Sequence, residues 1–223
     1  MVEMRGPVIA VPGLGLPAEV PERTLRLLTG TTRVVELPAF GRPARSVDRR
    51  GPGELAELLL RRIDEPGPVV LLGHSASCQV VVEAAVRAPG RVSGVVLVGP
   101  TTDPRAAGRA ALATRWIRTA ARERPDQLPT LLRGYLHSGP VAMARAMGDA
   151  RRHRLDRVVG GVRCPVLVVR GRYDRIAPAD WTGVLAELAP RGRALTLDRG
   201  AHMVPITHPH LLAAAVHGFL GAG

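Results

Sequence analysis

Val69-Val70-Leu71-Leu72-Gly73-His74-Ser75-Ala76-Ser77-Cys78-Gln79-Val80-Val81-Val82 passes from an unbroken apolar run, through small and polar residues, into an apolar stretch of helical length. A run of valine and leucine without polar alternation is the pattern of a parallel strand buried on both faces. The same unit recurs upstream, where Val8-Ile9-Ala10-Val11 leads into Pro12-Gly13-Leu14-Gly15 and Arg33-Val34-Val35-Glu36-Leu37 into Pro38-Ala39-Phe40-Gly41. It recurs downstream too: residues 95–98 lead into Gly99-Pro100, residues 166–169 into Gly171, and residues 194–197 into the loop of Gly200. Helical patterns fill the intervals at residues 53–63, with Leu55, Leu58, Leu59 and Ile63 on one face, and at 78–86, 181–188 and 210–220. Strands alternating with helices specify an α/β fold, a mostly parallel sheet of about six strands flanked by helices.

One stretch breaks the alternation. Residues 101–162 contain no strand pattern, only arginine-rich amphipathic helix interrupted at Pro125, Pro129, Gly134 and Gly139-Pro140. Some sixty residues is too long for an ordinary connection. The reading is a helical cap, 101–162, inserted into a core made of residues 1–100 and 163–223.

Composition narrows the function classes. All 31 basic residues are arginine, and the net charge is +12. Thirteen of those arginines, against five acids, lie in residues 101–163. A lysine-free chain rich in Ala, Gly, Pro and Arg reflects a GC-rich coding sequence, which weakens the charge as a nucleic-acid signal. No zinc-finger spacing, RNP-type aromatic pattern or P-loop accompanies it. Two cysteines, Cys78 and Cys164, make no disulfide framework and no metal site. The first seven residues lack a signal-peptide pattern, and no apolar run reaches the roughly 20 residues of a membrane span. The expectation is a cytoplasmic protein without metal or cofactor, without nucleic-acid or membrane partners, and of open oligomeric state.

The chemistry gathers at the ends of the strands. Gly73-His74-Ser75-Ala76-Ser77 sits between a buried strand and an apolar helix, the context in which a tight turn lifts a serine hydroxyl above a sheet. Such a turn strains the serine backbone and requires small residues two positions to either side. A serine needs a positioned base. His202, in Gly200-Ala201-His202-Met203 after the last strand, is in place for that role; His208 and His210 follow no strand directly, and His74 is expected to point away into the core. Asp174, in Gly171-Arg172-Tyr173-Asp174 after the penultimate strand, is the carboxylate to orient the histidine, with Asp103 as its rival and helix capping as the alternative role for Asp174 or Asp180. The order Ser75, Asp174, His202 matches that of a Ser-Asp-His triad on such a sheet. Developing negative charge requires fixed donors; the Ala76 and Leu14 backbone N–H groups are the candidates for an oxyanion hole. Trp116, Tyr135 and Met203 are candidates to line an apolar substrate pocket, and Cys78 is read as core packing.

These segments together resemble the α/β-hydrolase superfamily over nearly the whole chain, and most closely small actinobacterial members that open with V-P-G-L-G. The resemblance rests on residues 11–15, 37–42, 73–79, 99–104, 171–178 and 200–202. It implies a cap between the sixth and seventh strands. Three departures stand out: Pro12 where many members carry histidine, Ser77 in place of the second elbow glycine, and a Gly-rich loop that arrives at residue 12, which implies a smaller sheet.

A serine at the elbow argues against the carboxylate nucleophile of haloalkane dehalogenases and epoxide hydrolases. The expected function is hydrolysis of a carboxylic ester, lactone or thioester through an acyl-enzyme. A C–C bond hydrolase with the same triad, or a non-hydrolytic cyclase, lyase or ligand receptor, stays open. The substrate is expected to be a small acyl compound, and the arginine surplus leaves an anionic or carrier-bound one open against the plainer reading of a solvated arginine face.

Overall fold

The computed structural model describes residues 6–44 and 50–221; residues 1–5 of the N-terminal stretch read above lie outside them. In chain order the elements begin with β1 (Val8–Val11), α1 (Glu19–Leu25), β2 (Thr32–Val34), β3 (Leu37–Pro38), β4 (Gly41–Arg42), α2 (Pro52–Arg62), β5 (Val69–His74), α3 (Ser77–Arg87) and β6 (Val92–Val98). The helical stretch follows as α4 (Arg109–Ala120), α5 (Leu128–Ser138), α6 (Pro140–Arg152) and α7 (Leu155–Val158), joined by short 3-10 turns. The chain ends with β7 (Val166–Gly171), α8 (Ala179–Leu188), β8 (Gly192–Leu197), α9 (Val204–Thr207) and α10 (Pro209–Leu220).

Six strands form one sheet in the order β2-β1-β5-β6-β7-β8, and every pairing is parallel. The continuous apolar runs are explained by their two faces. Ile9, Val69, Leu71, Val95, Leu97, Val166 and Val168 pack into one cluster with Leu55, Leu59, Val80, Val81, Trp181 and Leu185 of α2, α3 and α8. Their neighbours Val8, Ala10, Val70, Leu72, Val96, Val98, Leu167 and Val169 pack into a second with Leu25, Leu212, Val216 and Phe219 of α1 and α10. Period-two alternation thus exists in these strands, but both faces are buried, so it leaves no polar signature. Only the edge strand β8 is largely exposed.

One expectation needs correction. Residues 33–37 do not form a single strand: β2 ends at Val34, and Leu37–Pro38 pairs instead with Gly41–Arg42. Pro38 has no amide hydrogen to continue a ladder, and the chain reverses through Ala39 (φ 66°) and Gly41 (φ 93°). The bend serves the neighbouring loop, since the Ala39 carbonyl accepts the Gly15 amide at 2.7 Å.

The chain runs from β1 outward to β2 and returns to β5 on the other side of β1, so the strand order reverses there. In open α/β sheets, sites form beyond the carboxyl ends of strands beside such a reversal. The loops after β1, β5, β6, β7 and β8 all emerge at that edge. Helices α4 to α7 lie between β6 and β7, within the stretch read from the sequence as an insertion. Among the described residues no helix is long and apolar enough to cross a membrane.

Candidate active site

Ser75 follows β5 directly and has φ 58°, a left-handed conformation rare for a residue with a side chain. Its amide donates to the Val98 carbonyl at 2.8 Å, which ties the turn to β6. Gly73 is required beneath the turn, because a Cβ there would lie 2.9 Å from the backbone of Ser77 and Cys78. Ser77 replaces the second glycine without strain. It starts α3 with its hydroxyl fully buried, accepts from the His74 amide at 2.8 Å, and lies 2.9 Å from both the Val11 and His74 carbonyls.

The loops after β7 and β8 bring two further groups to Ser75. His202 Nε2 stands 2.9 Å from Ser75 Oγ, and His202 Nδ1 stands 2.8 Å from Asp174 Oδ2. The other carboxylate oxygen, Asp174 Oδ1, accepts the Ile176 and Ala177 amides at 2.8 and 2.9 Å, so the carboxylate is fixed before it meets the imidazole. Asp174 and His202 are both buried. Burial alone would raise the Asp174 pKa, but the charge and hydrogen bond of His202 and the two amides hold it below the ordinary carboxylate value. Burial likewise opposes protonation of His202. The charge and hydrogen bond of Asp174, with a further contribution from Glu123, outweigh it and lift the imidazole above its usual 6.5. Gly99 (φ 55°) makes room for the pair, because a Cβ there would come within 3.0 Å of His202 Nδ1.

This arrangement is equipped to take the hydroxyl proton of Ser75 onto Nε2 while Asp174 holds the Nδ1 proton. Among the described residues, the Ala76 and Leu14 backbone N–H groups donate to no other protein atom. Trp116 meets His202 edge-on with centroids 5.7 Å apart. An apolar cavity of about 230 Å³ opens beside His202, and both Trp116 and Met203 line it. Tyr135 does not; its ring lies against Gly15 and the small cluster of Leu16, Val20 and Met203. A larger open depression of about 480 Å³ between α1 and α5 includes none of these site residues. Among the described residues, no three His, Cys, Asp or Glu side chains converge as a metal site requires.

The sequence model described as the Alpha/beta hydrolase family matches residues 8–215. The chain belongs to that family. Among curated proteins it is similar to a "Pimeloyl-[acyl-carrier protein] methyl ester esterase" of Xanthomonas campestris, 33% identical over 81 residues that make up 36% of this chain and 32% of that protein. The match therefore spans about a third of that relative's length. A protein of the same name from Klebsiella pneumoniae is 26% identical across 91% of this chain and 88% of its own length. Among solved structures, a hydrolase from Oleispira antarctica superposes with a TM-score of 0.82 at 15% identity, covering 98% of this chain and 92% of that one.

Of the other residues weighed from the sequence, some lie as read in this α/β hydrolase and others do not. His74 is buried as expected, yet its ring lies 5.1 Å from that of His202, and its Nε2 is 3.0 Å from the His202 carbonyl. Burial, helped by the neighbouring His202, lowers its pKa to about 3, so it is neutral and donates that bond. Asp103 is buried too, but it binds Arg105 and Arg115 rather than the histidine. Asp180 lies in the first turn of α8, where it accepts the Trp181 amide and pairs with Arg105 without capping the helix. His208 contacts Thr207, and His210 is exposed. Cys78 is packed in the core, where burial pushes its thiol pKa well up and removes it as a nucleophile. Glu123 was missed altogether: its Oε1 accepts the Met203 amide at 2.8 Å. That contact joins positions 80 residues apart and leaves no local signal.

Proposed function

We propose that this protein is a serine hydrolase acting on a carboxylic ester, lactone or thioester, with Ser75 as nucleophile, His202 as general acid–base and Asp174 as its orienting carboxylate. The observation that carries the reading is the unbroken chain of contacts from Ser75 Oγ through His202 to Asp174, on a serine held at positive φ.

In this reading Ser75 Oγ attacks the acyl carbon as its proton passes to His202 Nε2. The Ala76 and Leu14 amides receive the oxyanion of the tetrahedral intermediate. Its collapse expels the alcohol or thiol, which takes the proton from His202 and leaves an acyl-enzyme. Water, deprotonated by the same histidine, then releases the acid and restores the serine. Helices α4 to α7 act as a cap over the strand ends, and α4, α5 and the turn between them wall the cavity together with His202 and Met203. The esterase names of the curated relatives support an ester as the scissile bond, and those names place a carrier-bound acyl chain among the substrates to try.

The test is labelling with a fluorophosphonate, mapping of the modified residue, and a panel of esters and thioesters of increasing chain length. Modification at Ser75 with ester turnover is expected. Ser75→Ala is expected to lose both, with turnover down on the order of 10⁴-fold or more. A Ser75→Ala protein with full activity refutes the mechanism, and an unlabelled protein inert to every ester points to a non-hydrolytic use of the fold.

A further inference from the structure

The 230 Å³ cavity beside His202 is apolar over most of its wall, with Trp116, Leu128, Leu131 and Met203 among its lining. An apolar cavity of roughly 150 Å³ holds one benzene ring. This one therefore takes a group of about six to eight carbons. Two charged residues besides His202 border it, and their settings differ. Arg124 is 60% exposed and is neutralised by Asp126 at 2.5 Å. Glu123 is pinned on both carboxylate oxygens, with Oε1 taking the Met203 amide at 2.8 Å and Oε2 taking Gln127 Nε2 at 3.1 Å. Gln127 is itself buried. A carboxylate held by two donors is fixed in direction, and no arginine closes on it among the contacts of the described residues. Its charge therefore acts across an apolar space in which screening by water is reduced.

We propose that Glu123 sets the charge preference of this cavity, so that the enzyme accepts esters whose pocket-filling group is neutral or carries an ammonium, and rejects those carrying a carboxylate. The proposal rests on the ester-hydrolase reading above, because the cavity ends on His202. It narrows the sequence reading, which left an anionic substrate open beside the plainer one of a solvated arginine face. Arginines of the helical stretch are held in ion pairs away from the cavity: Arg115 binds Asp103, Arg133 binds Glu19 and Arg154 binds Asp156. An anionic group attached to the far end of a substrate remains compatible with the outer surface, but not with the hole beside the base. Placing a like charge a few ångströms from a fixed carboxylate in a protein environment disfavours binding on the order of tenfold to a hundredfold.

The test compares aryl esters of hexanoic acid, 6-aminohexanoic acid and adipic acid at pH 8, read as kcat/KM in the full-length protein. The ratio of the ammonium to the carboxylate ester is expected to exceed tenfold. Glu123→Gln is expected to reduce that ratio at least tenfold, whereas Glu123→Asp, which keeps the charge, restores most of it. A wild-type ratio near one, or a ratio unchanged in Glu123→Gln, overturns the proposal. Failure of the hydrolase reading is read separately by ligand-observed saturation-transfer NMR with hexylamine, hexanol and hexanoate, which needs no turnover. There the amine and alcohol should bind in preference to the acid, and the preference should fade in Glu123→Gln. Equal binding of all three, or none by any, overturns the proposal whatever the enzyme does to esters.

Discussion

Replacing Ser77 with alanine removes one oxygen from a site with no access to solvent. That oxygen accepts the His74 amide at 2.8 Å and donates to a carbonyl, with Val11 and His74 both 2.9 Å away. It joins the elbow to β1, the strand that leads into the Leu14 loop. Losing a buried hydrogen bond costs about 1 kcal/mol, and stranding a buried donor costs about 1–3 kcal/mol. Water cannot enter to replace the hydroxyl, so a loss of roughly 2–3 kcal/mol is expected. For a chain of this size 1 kcal/mol moves Tm by about 2–4 °C, which sets the expected fall at about 5–10 °C. Urea unfolding followed by tryptophan fluorescence should show a midpoint lowered by roughly 1 M with an unchanged slope.

Ser77→Gly is the sharper case, since it restores the G-x-S-x-G pattern from which this sequence departs. It loses the same bonds and adds some backbone entropy, less than the about 0.5–1 kcal/mol of a mid-helix glycine because Ser77 opens α3, so it is expected to be the less stable variant. Because Ser75 lies between His74 and Ser77, both variants should also lose turnover, about tenfold, with KM changed less. A Ser77→Gly protein as stable as the wild type, or a Ser77→Ala protein within about 1 °C of it, refutes this account of the departure.

Since burial is outweighed by Asp174 and the His202 pKa is raised, the base stays protonated to a higher pH than a free imidazole, and the acid limb of kcat/KM should have its midpoint above 6.5. Asp174→Asn removes the main charge that raises it; a pH–rate profile should show that midpoint moved down, with kcat lower by about 10³–10⁴-fold. Asp103→Asn breaks contacts with Arg105 and Arg115 but none with His202, so thermal denaturation should show a loss of about 2 kcal/mol while kcat falls less than about tenfold. His74→Phe leaves the His202 carbonyl without its donor; kcat should drop about tenfold at little changed KM, and His74→Gln, which keeps a donor, should recover most of it in steady-state assays.

The parts of the molecule legible in the sequence are those fixed by local composition. Strands β1, β5, β6 and β7 announce themselves because both faces are buried, so apart from His74, Ser93 and Arg170 their positions are apolar or glycine. The elbow is legible because a tight turn restricts residue size at Gly73 and Ser77. The second strand reads from the sequence as running to Leu37 and ending at Pro38, whereas it ends at Val34 and Leu37–Pro38 pairs with Gly41–Arg42, a local pairing that apolar propensity does not distinguish from a longer strand. Tyr135 lies against Gly15 and not on the cavity beside His202, and nothing local in the sequence names the neighbour of a helix face. His74 looked like plain core because its partner, the His202 carbonyl, lies 128 residues away. Nothing in a pentapeptide encodes such a contact.

The first helix of the stretch between β6 and β7 is held mainly by desolvated polar contacts. Helix α4 buries only Leu112 and Thr119, far too little apolar area to fix its position. It is held by contacts on the loops after three successive strands. Arg115 meets Asp103 after β6 at 2.7 Å, Thr119 Oγ1 accepts the Arg175 amide after β7 at 3.0 Å, and Glu123 accepts the Met203 amide after β8 at 2.8 Å. Gln79 of α3 adds a fourth point by donating to the Thr101 and Ala150 carbonyls. Each of these contacts includes a group that is poorly accessible to water, so breaking one leaves an unsatisfied polar atom, whereas apolar surfaces slide past one another at little cost. Helix α5 lacks such restraint on its outer face, where Leu128, Leu132 and Leu136 are all at least 60% exposed. The insertion therefore has two physical halves. One is locked in register with the Ser75–His202–Asp174 array and carries Trp116 and Glu123 to the cavity. The other borders the same cavity through Leu128 and Leu131 and can change in sequence without disturbing the alignment of the base.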